Sequence, residues 1–411
     1  MLMREPIDVM SPEFRADPSP FYARLRSEPI QQVEPGGLWA ISRHEDVQYV
    51  LKNPKLFSST FLQQIMRPEW LAGVGNPLSE SILTMDPPHH TRMRALVSLA
   101  FTHKTIARLE ASIRQVAGEL AEDVRRQQEV DFVQAFALPL PAFVIAELLG
   151  FPPELRSKLK QWSDDIISIT ASVPEPPERI AYLRSSLAEL QSFLREVITD
   201  RRARPREDMM SELLVAEVEG RRLTDSELVA FGTVLLVGGL ETTVYLLGHT
   251  VRRMAQAPKV LARVRAEPAL IPSRVEEVLR LDSPFQITLR LTTQEVELGG
   301  VKLPAYAPVA VMMGSANRDE RQFEQADELV LERRSPQLLS FGHGVHFCLG
   351  APLARMEAHL ALEELFARCE GFVLSQEALK WNHSLGIRGP VELPLHAIPA
   401  RRGADAGARS S

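Results

Sequence analysis

Cysteine is scarce in this sequence, which has only Cys348 and Cys369 among its 411 residues. Two cysteines exclude a disulfide framework, and they cannot supply the four ligands of a cysteine-only zinc or iron–sulfur site. Scarce cysteine also fits a reducing compartment, so we expect a cytoplasmic protein.

A strong charge excess and an N-terminal apolar run are also missing. The net charge of −6 gives no reason to expect nucleic acid as a partner. Residues 1–20 contain acids, arginines and prolines without the apolar run of a signal peptide, so we expect no signal peptide and no membrane anchor. Residues 401–411 are mostly Arg, Gly, Ala and Ser, and we expect a disordered tail there.

The periodicity of apolar residues predicts a mainly α-helical protein with a small β region. The segment 61–83 reads as irregular, and the prolines of 172–177 should separate two helices. Helices are predicted over 44–52, 89–126 and onward to 150, 154–171, 179–202, 224–253 and 351–369, and strands over 38–43, 285–311 and parts of the segment up to 398.

The longest apolar stretch, residues 229–249, lies inside a predicted helix. Thr224 and Glu227 have the spacing of a capping box, so this helix should begin there and run to about Arg253. A membrane span could have the same length. A helix in the core of a large protein fits better, because Glu241 and two glycines interrupt the run and a buried carboxylate marks a function or a partner.

The most informative segment is the cysteine loop, Phe341–Gly350, with the sequence FGHGVHFCLG. Gly342, Gly344 and Gly350 allow tight turns and the close approach of a flat ligand. Pro352 suits the first turn of a following helix, so Cys348 should lie just before a helix N-terminus. The helix dipole and free N–H groups there should favour a thiolate, which is a nucleophile or a metal ligand.

A buried structural cysteine is the more common role of a single cysteine, and Cys369, late in a helix without such glycines, fits that role. For Cys348 this interpretation requires the glycines to be coincidental. A cysteine hydrolase is a further alternative, although no residue stands out as the base that it would need.

The cysteine loop resembles the haem-binding loop of the cytochrome P-450 superfamily, F-G-x-G-x-H-x-C-x-G, at every fixed position. The resemblance implies one domain over residues 5–400 with the family's triangular-prism fold, and haem b between the long central helix and the loop. It implies that Cys348 ligates the iron and that Phe341, Gly342 and Gly350 contact the haem. The implied activity is that of a monooxygenase.

Gly238–Thr243, in the central helix, resembles the family's oxygen-activation motif. An acid next to a hydroxyl can relay protons into a dry pocket. Equally, the Thr242 hydroxyl could bond a carbonyl one turn back while Glu241 forms a salt bridge. The resemblance assigns Thr242 to a hydrogen bond with the dioxygen under activation and Glu241 to proton delivery.

Four basic residues are assigned to the haem propionates by the same resemblance. His90 and Arg94 share one face of a predicted helix, where ordinary surface charge is the alternative interpretation. Arg290 and His346 join them by the family match. Carboxylates in an apolar cleft need charge-assisted partners, which is a physical reason for such a cluster.

Glu277 and Arg280 match the family's E-x-x-R helix, and Arg333 matches the basic residue that completes it. The resemblance makes these three residues a structural lock with no catalytic part. Glu320 stands where the family usually has proline, and we expect that departure to affect only a loop.

The resemblance requires electrons from a separate ferredoxin or flavodoxin, because two cysteines cannot hold a [2Fe–2S] cluster and no flavin domain is visible. Arg355, near Cys348, is a candidate contact for that partner. Two rival functions remain: a peroxygenase driven by hydrogen peroxide, whose family members typically lack the acid–alcohol pair, and a non-catalytic haem-thiolate sensor.

The substrate pocket implied by the family is mostly apolar, which predicts a small hydrophobic substrate such as a fatty acid, terpenoid or polyketide. Gln286 is either a polar anchor for the substrate or a plain strand residue. The turn at 173–177 should belong to a lid. The pocket candidates are Val234, Val237, Gly238, Gln286 and Ile387.

Overall fold

The computed structural model describes residues 6–170, 175–333, 337–376 and 378–401. Residues 173–174 of the predicted lid turn at 173–177 and nearly all of the predicted tail at 401–411 lie outside these ranges.

Helices make up most of the structure, as the periodicity predicted. Short 3-10 turns and one π-helix, Val133–Ala137, connect several of them. The α-helices are Pro12–Ala16, Ser19–Ser27, His44–Lys52, Thr60–Ile65, His89–Ala100, His103–Ala107, Glu110–Gln127, Pro139–Leu149, Arg156–Thr170, Pro177–Ala203, Met209–Val215, Asp225–Gln256, Pro258–Ala266, Ile271–Leu281, Met313–Ala316 and Ala351–Arg368.

The strands form one larger sheet and three small ones. The six-stranded sheet has the order Ile7–Asp8, Ile30–Glu34, Leu38–Ile41, Pro308–Met312, Ile287–Thr292 and Phe57–Ser58. A three-stranded sheet has the order Cys369–Leu374, Pro394–Pro399 and Glu129–Asp131, and two hairpins pair Val296–Leu298 with Val301–Leu303 and Glu217–Val218 with Arg221–Arg222.

The central helix, Asp225–Gln256, begins at the predicted capping box. The Thr224 hydroxyl accepts a hydrogen bond from the Glu227 N–H, and the Glu227 carboxylate accepts one from the Thr224 N–H. Within the described ranges it is the one helix long and apolar enough to cross a membrane. Because 78% of its most apolar window is buried by the rest of the protein, it is a core helix.

Two sequence predictions of local structure are wrong. The pattern at 89–126 predicted one helix, but the chain breaks after Ala100, where the Thr102 hydroxyl caps a new helix by accepting from the Thr105 N–H. The segment 61–83, predicted to be irregular, contains the helix Thr60–Ile65 and three 3-10 turns.

Buried arginines join the first helix, Pro12–Ala16, to the segment that carries Ile387 and Arg388. Arg388 donates to the carbonyl oxygens of Arg15 and Ala16 at 2.8 and 2.7 Å. Arg15 donates in return to the carbonyl of Ile387 at 2.7 Å, across 372 positions of sequence. These contacts fix the first helix against the segment that carries Ile387.

Candidate active site

The cysteine loop has the tight turns that its glycines predicted. Gly342 and Gly344 have φ of 71° and 68°, a region that disfavours residues with a β-carbon. A β-carbon at Gly344 would also lie 2.5 Å from the carbonyl oxygen of Leu51. The Cys348 N–H closes the loop by donating to the Phe341 carbonyl at 2.9 Å.

Cys348 precedes the proximal helix, Ala351–Arg368, which packs against the central helix. Burial raises the pKa of the Cys348 thiol, and the N–H groups of Gly350 and Ala351 with the charge of Arg94 oppose that rise without cancelling it. The N–H groups at this helix N-terminus therefore act in favour of the thiolate, as the sequence predicted, but burial outweighs them. A bound metal cation would supply the missing charge, since it deprotonates a coordinating thiol.

One face of the central helix is open although the helix is mostly buried. Val234, Gly238 and Thr242, spaced four residues apart, share that face; Val234 and Thr242 are partly exposed and Gly238 is exposed. A β-carbon added at Gly238 would meet no atom within 4 Å. The open face therefore borders free space, as a helix that lies over a flat cofactor and its substrate requires.

Glu241 and Thr242 make both of the local interactions that the sequence allowed, the salt bridge and the hydrogen bond to a carbonyl one turn back. The Thr242 hydroxyl donates to the Gly238 carbonyl at 2.5 Å. Glu241 is fully buried, and its Oε1 lies 3.1 Å from Nζ of Lys160, on the helix Arg156–Thr170. The motif therefore includes a cation, Lys160, which the sequence did not predict.

Lys160 also pairs with Asp164, one turn along its own helix. Burial lowers the pKa of Lys160, but the carboxylates of Glu241 and Asp164 outweigh it, and the pKa is raised. Burial raises the pKa of Asp164, and the charge of Glu241 adds to that rise. Two carboxylates therefore share one ammonium group. The i, i+4 spacing of Lys160 and Asp164 was readable from the sequence, whereas the contact with Glu241 was not.

The structure brings together the four basic residues assigned to the propionates. The rings of His90 and His346 lie 4.2 Å apart between centroids, and His346 Nε2 is 3.0 Å from the Ser59 hydroxyl. Burial lowers the pKa of His90 to about 4 and that of His346 to about 3, with Arg94 and Arg290 contributing to both. Burial also lowers the pKa of Arg290 to about 10, which leaves it charged at neutral pH.

This basic cluster has unused hydrogen-bonding capacity. His90 Nε2 is buried without a partner in the described part of the chain. Asp86 is the carboxylate that acts on His90 and Arg290, and its two oxygens already accept from Ser58 and Ser59. A largely buried cluster with surplus cations and an orphaned nitrogen fits the carboxylates of a haem.

Glu277, Arg280 and Arg333 lie in contact with one another. Arg280 donates to both carboxylate oxygens of Glu277 at 2.9 and 2.8 Å, and Arg333 Nε lies 3.1 Å from Oε1. The remaining N–H groups of Arg280 reach the carbonyls of Asn317, Ala326 and Glu328. The contacts of Arg280 with the three carbonyls and of Arg333 with Glu277 join the helix Ile271–Leu281 to the segment 317–333.

The apolar pocket candidates are at the central helix and at Ile387. Val237 and Ile387 are nearly buried, and Ile387 forms an isolated β-bridge with Phe285. The structure does not support Gln286 as a substrate anchor, because its amide oxygen accepts from the Tyr22 hydroxyl at 2.7 Å inside the core. Gln286 is a buried structural residue that lies just before the strand Ile287–Thr292, which is close to the alternative interpretation.

Arg355 is less available to a partner than the sequence suggested. Its guanidinium forms a forked ion pair with Glu276 at 2.6 and 3.0 Å and lies 4.4 Å from the centroid of the Phe341 ring. It therefore packs over the cysteine loop while about a third of its side chain remains exposed.

Known proteins match this chain over most of its length. The family model Cytochrome P450 matches residues 32–386. Cytochrome P450 109 of Bacillus spizizenii is 40% identical, with 88% of this chain and 86% of that protein covered. Erythromycin C-12 hydroxylase of Saccharopolyspora erythraea is 39% identical, with 84% and 86% covered.

Among solved structures, CYP109E1 of Bacillus megaterium in complex with testosterone superposes with a TM-score of 0.81 at 35% identity, with 92% of this chain and 99% of that chain covered. The fold, the cysteine loop and these matches agree, and they confirm haem b as the cofactor. The chain therefore belongs to the cytochrome P450 family of haem-thiolate monooxygenases.

Proposed function

We propose that this chain uses a haem b ligated by Cys348 to insert one oxygen atom of dioxygen into a hydrophobic substrate, by hydroxylation or epoxidation. The observation that carries the proposal is a partly buried thiol just before the proximal helix, in a protein whose central helix has an open face at Val234, Gly238 and Thr242. With its thiolate ligand, the haem supplies dioxygen activation and O–O bond cleavage.

Residues of this chain would hold and orient that cofactor. Arg94 and Arg290 carry permanent charge toward the two propionates, and His90 and His346 act as neutral N–H donors there, because their pKa values lie well below neutrality. Gly342, Gly350 and the ring of Phe341 would line the proximal side of the macrocycle. Glu277, Arg280 and Arg333 would hold the fold around the site, within a single domain over residues 5–400.

Thr242 and Glu241 would handle protons on the other side. Because the Thr242 hydroxyl donates its own proton to Gly238, its lone pairs remain free to accept a hydrogen bond from a proton donor in the cavity. Glu241 faces Lys160, so it must turn away from that ammonium group before it can pass a proton toward Thr242. While Glu241 turns away, Asp164 would remain paired with Lys160, so the ammonium group would keep a carboxylate partner.

The substrate that we propose is a hydrophobic molecule of the steroid or polyketide class. Val234, Val237, Gly238 and Ile387 offer no charge to a ligand, which favours a substrate with a large apolar surface. Two similar proteins act on or bind such molecules, one named for erythromycin and the other solved with testosterone. Titration of the haem-loaded protein with compounds from steroid, macrolide and fatty-acid panels, followed as a Soret blue shift, tests this assignment.

The decisive test of the iron ligand exchanges each cysteine in turn. Cys348→His should abolish the red-shifted Soret band of the ferrous carbonyl adduct, because nitrogen replaces sulfur on the iron. Cys369→Ala is the matched control and should keep that band, since Cys369 is buried at the start of the strand Cys369–Leu374. Persistence of the band in the Cys348 variant, or its loss in the control alone, contradicts the assignment.

Thr242→Ala separates proton handling from haem binding. We expect the variant to keep haem and to divert reducing equivalents from product to hydrogen peroxide, because the cavity loses its hydroxyl. Unchanged coupling of NAD(P)H consumption to product would show that the hydroxyl has no such part. The comparison requires the same substrate and the same reductase system for both proteins.

We further propose a cytoplasmic enzyme that takes electrons from a separate ferredoxin or flavodoxin. The pair Glu241 and Thr242, present here, argues against the rival peroxygenase, and turnover with hydrogen peroxide but none with a reductase system would reverse that judgement. Lack of NAD(P)H consumption across a broad substrate panel would instead favour the sensor.

A further inference from the structure

An arginine with no partner lies inside the helix Ile271–Leu281. Arg274 is 0% exposed, and its three guanidinium nitrogens make no hydrogen bond with any described residue. Arg280, two turns later and equally buried, has both oxygens of Glu277 and three carbonyls as acceptors. The contrast singles out Arg274, because a buried guanidinium without an acceptor is strongly destabilising.

Arg274 also lies in a region with too few negative charges. Asp282 and Glu277 are the two buried carboxylates there, Asp327 reaches Arg318 from the surface, and Asp17 acts on Arg252 and Arg253. Four arginines lie within 4.0 Å of Asp282, and two lie within 3.1 Å of Glu277. With Arg274, the guanidinium groups of this region are those of Arg252, Arg253, Arg274, Arg280, Arg318, Arg333 and Arg388.

The positive charge of Arg274 persists at neutral pH. Burial and, to a smaller extent, the neighbouring Arg253 lower its pKa to about 9, against the opposing effect of Glu277 and Asp282. A pKa of about 9 leaves the group almost wholly protonated at pH 7. A water molecule could accept from its N–H groups, but water carries no charge to offset a buried cation.

We propose that Arg274 forms an internal binding site for a small inorganic anion of the chloride class. Complete burial excludes an organic carboxylate or a phosphate ester, because the guanidinium offers no surface to a ligand that must remain partly in solvent. A halide can be enclosed during folding, and it satisfies several N–H groups while it reduces the excess of positive charge. The anion would stabilise the helix that carries Glu277 and Arg280.

Crystals of the haem-loaded protein grown in sodium bromide test the site directly. We expect an anomalous bromide peak within hydrogen-bonding distance of the Arg274 guanidinium. Bromide peaks at exposed arginines with none at Arg274 would overturn the proposal, because the same data would show that bromide entered the crystal and bound elsewhere.

Unfolding of the haem-loaded protein in chloride or gluconate at equal ionic strength gives an independent readout. We expect chloride above its Kd to raise the urea midpoint in proportion to the logarithm of its concentration, and at about a hundred times its Kd to lower the unfolding equilibrium constant about 100-fold. Arg274→Met should lose this dependence, whereas Arg202→Met, at an exposed ion pair, should keep it.

A wild-type midpoint that follows ionic strength alone, or a chloride response retained in the Arg274 variant, would overturn the proposal. If Arg274→Met does not fold, the bromide experiment on the wild-type protein decides the question.

Discussion

Removing the charge of Glu277 tests directly how much its buried ion pairs with arginine stabilise the fold. Its carboxylate accepts four hydrogen bonds, two from Arg280, one from Arg333 and one from the backbone N–H of Val330. In Glu277→Gln one oxygen becomes an NH₂ group that faces guanidinium N–H groups, so donors oppose donors. Breaking a buried ion pair in this way costs about 3–5 kcal/mol, or about 10²- to 10⁴-fold in the unfolding equilibrium constant.

Urea unfolding of the haem-loaded protein at pH 7, followed by circular dichroism and by Soret absorbance, measures this loss. Glu276→Gln is the matched control on the same helix, because its carboxylate pairs with the partly exposed Arg355. Such a pair contributes about 0–1 kcal/mol. Equal losses in the two variants, or a loss below about 1 kcal/mol for Glu277→Gln, would refute the reasoning.

The same variant has a predicted pH dependence. Burial acts to raise the pKa of Glu277, but the hydrogen bonds from Arg280, Val330 and Arg333 outweigh it, and the pKa is lowered. A lowered folded-state pKa gives stability that is fully present above the unfolded pKa of about 4.3 and is lost as the pH falls through the folded value. The difference between wild type and variant should be constant from pH 7 to about 5 and should shrink below about 4.

Three smaller perturbations test other contacts. Lys160→Met leaves buried Glu241 without its cation and should lower the free energy of unfolding by about 1–3 kcal/mol in urea titrations, less than for a fully buried pair. Glu320→Pro restores the usual family residue but removes the carboxylate that Arg26 holds at 2.9 Å, so the midpoint of thermal unfolding should fall. Gly238→Ala should gain up to about 1 kcal/mol from helix propensity, yet weaken the Soret response to bulky substrates by filling the open face.

Local signals in the sequence predicted much of the framework. The helix 44–52 has its predicted bounds, and the central helix begins at its capping box and ends three residues beyond the predicted Arg253. The break after Ala100 was missed because apolar periodicity continues across it, and the Thr102 cap interrupts the backbone without changing the pattern. Apolar periodicity indicates which face of a helix is buried, but it does not indicate where the backbone hydrogen bonds of that helix end.

Contacts between distant segments are what the sequence could not reveal. The residue types of the cysteine loop and the basic cluster were readable, but the ammonium partner of Glu241 comes from a helix that ends about seventy residues earlier. Glu320 was expected to affect only a loop, and it pairs with Arg26 across the fold. The isolation of Arg274 is visible only when every possible acceptor nearby has been placed.

The exchange of hydrogen bonds between Arg15 and the Ile387 segment has a consequence during biosynthesis. Since 372 positions separate the two, the first helix emerges from the ribosome well before its partner exists. At about 5–20 residues per second, the interval is about 20–70 s. During that time the nascent N-terminal region lacks the C-terminal segment that packs against it in the folded protein. Binding of a chaperone would protect the region most in that interval.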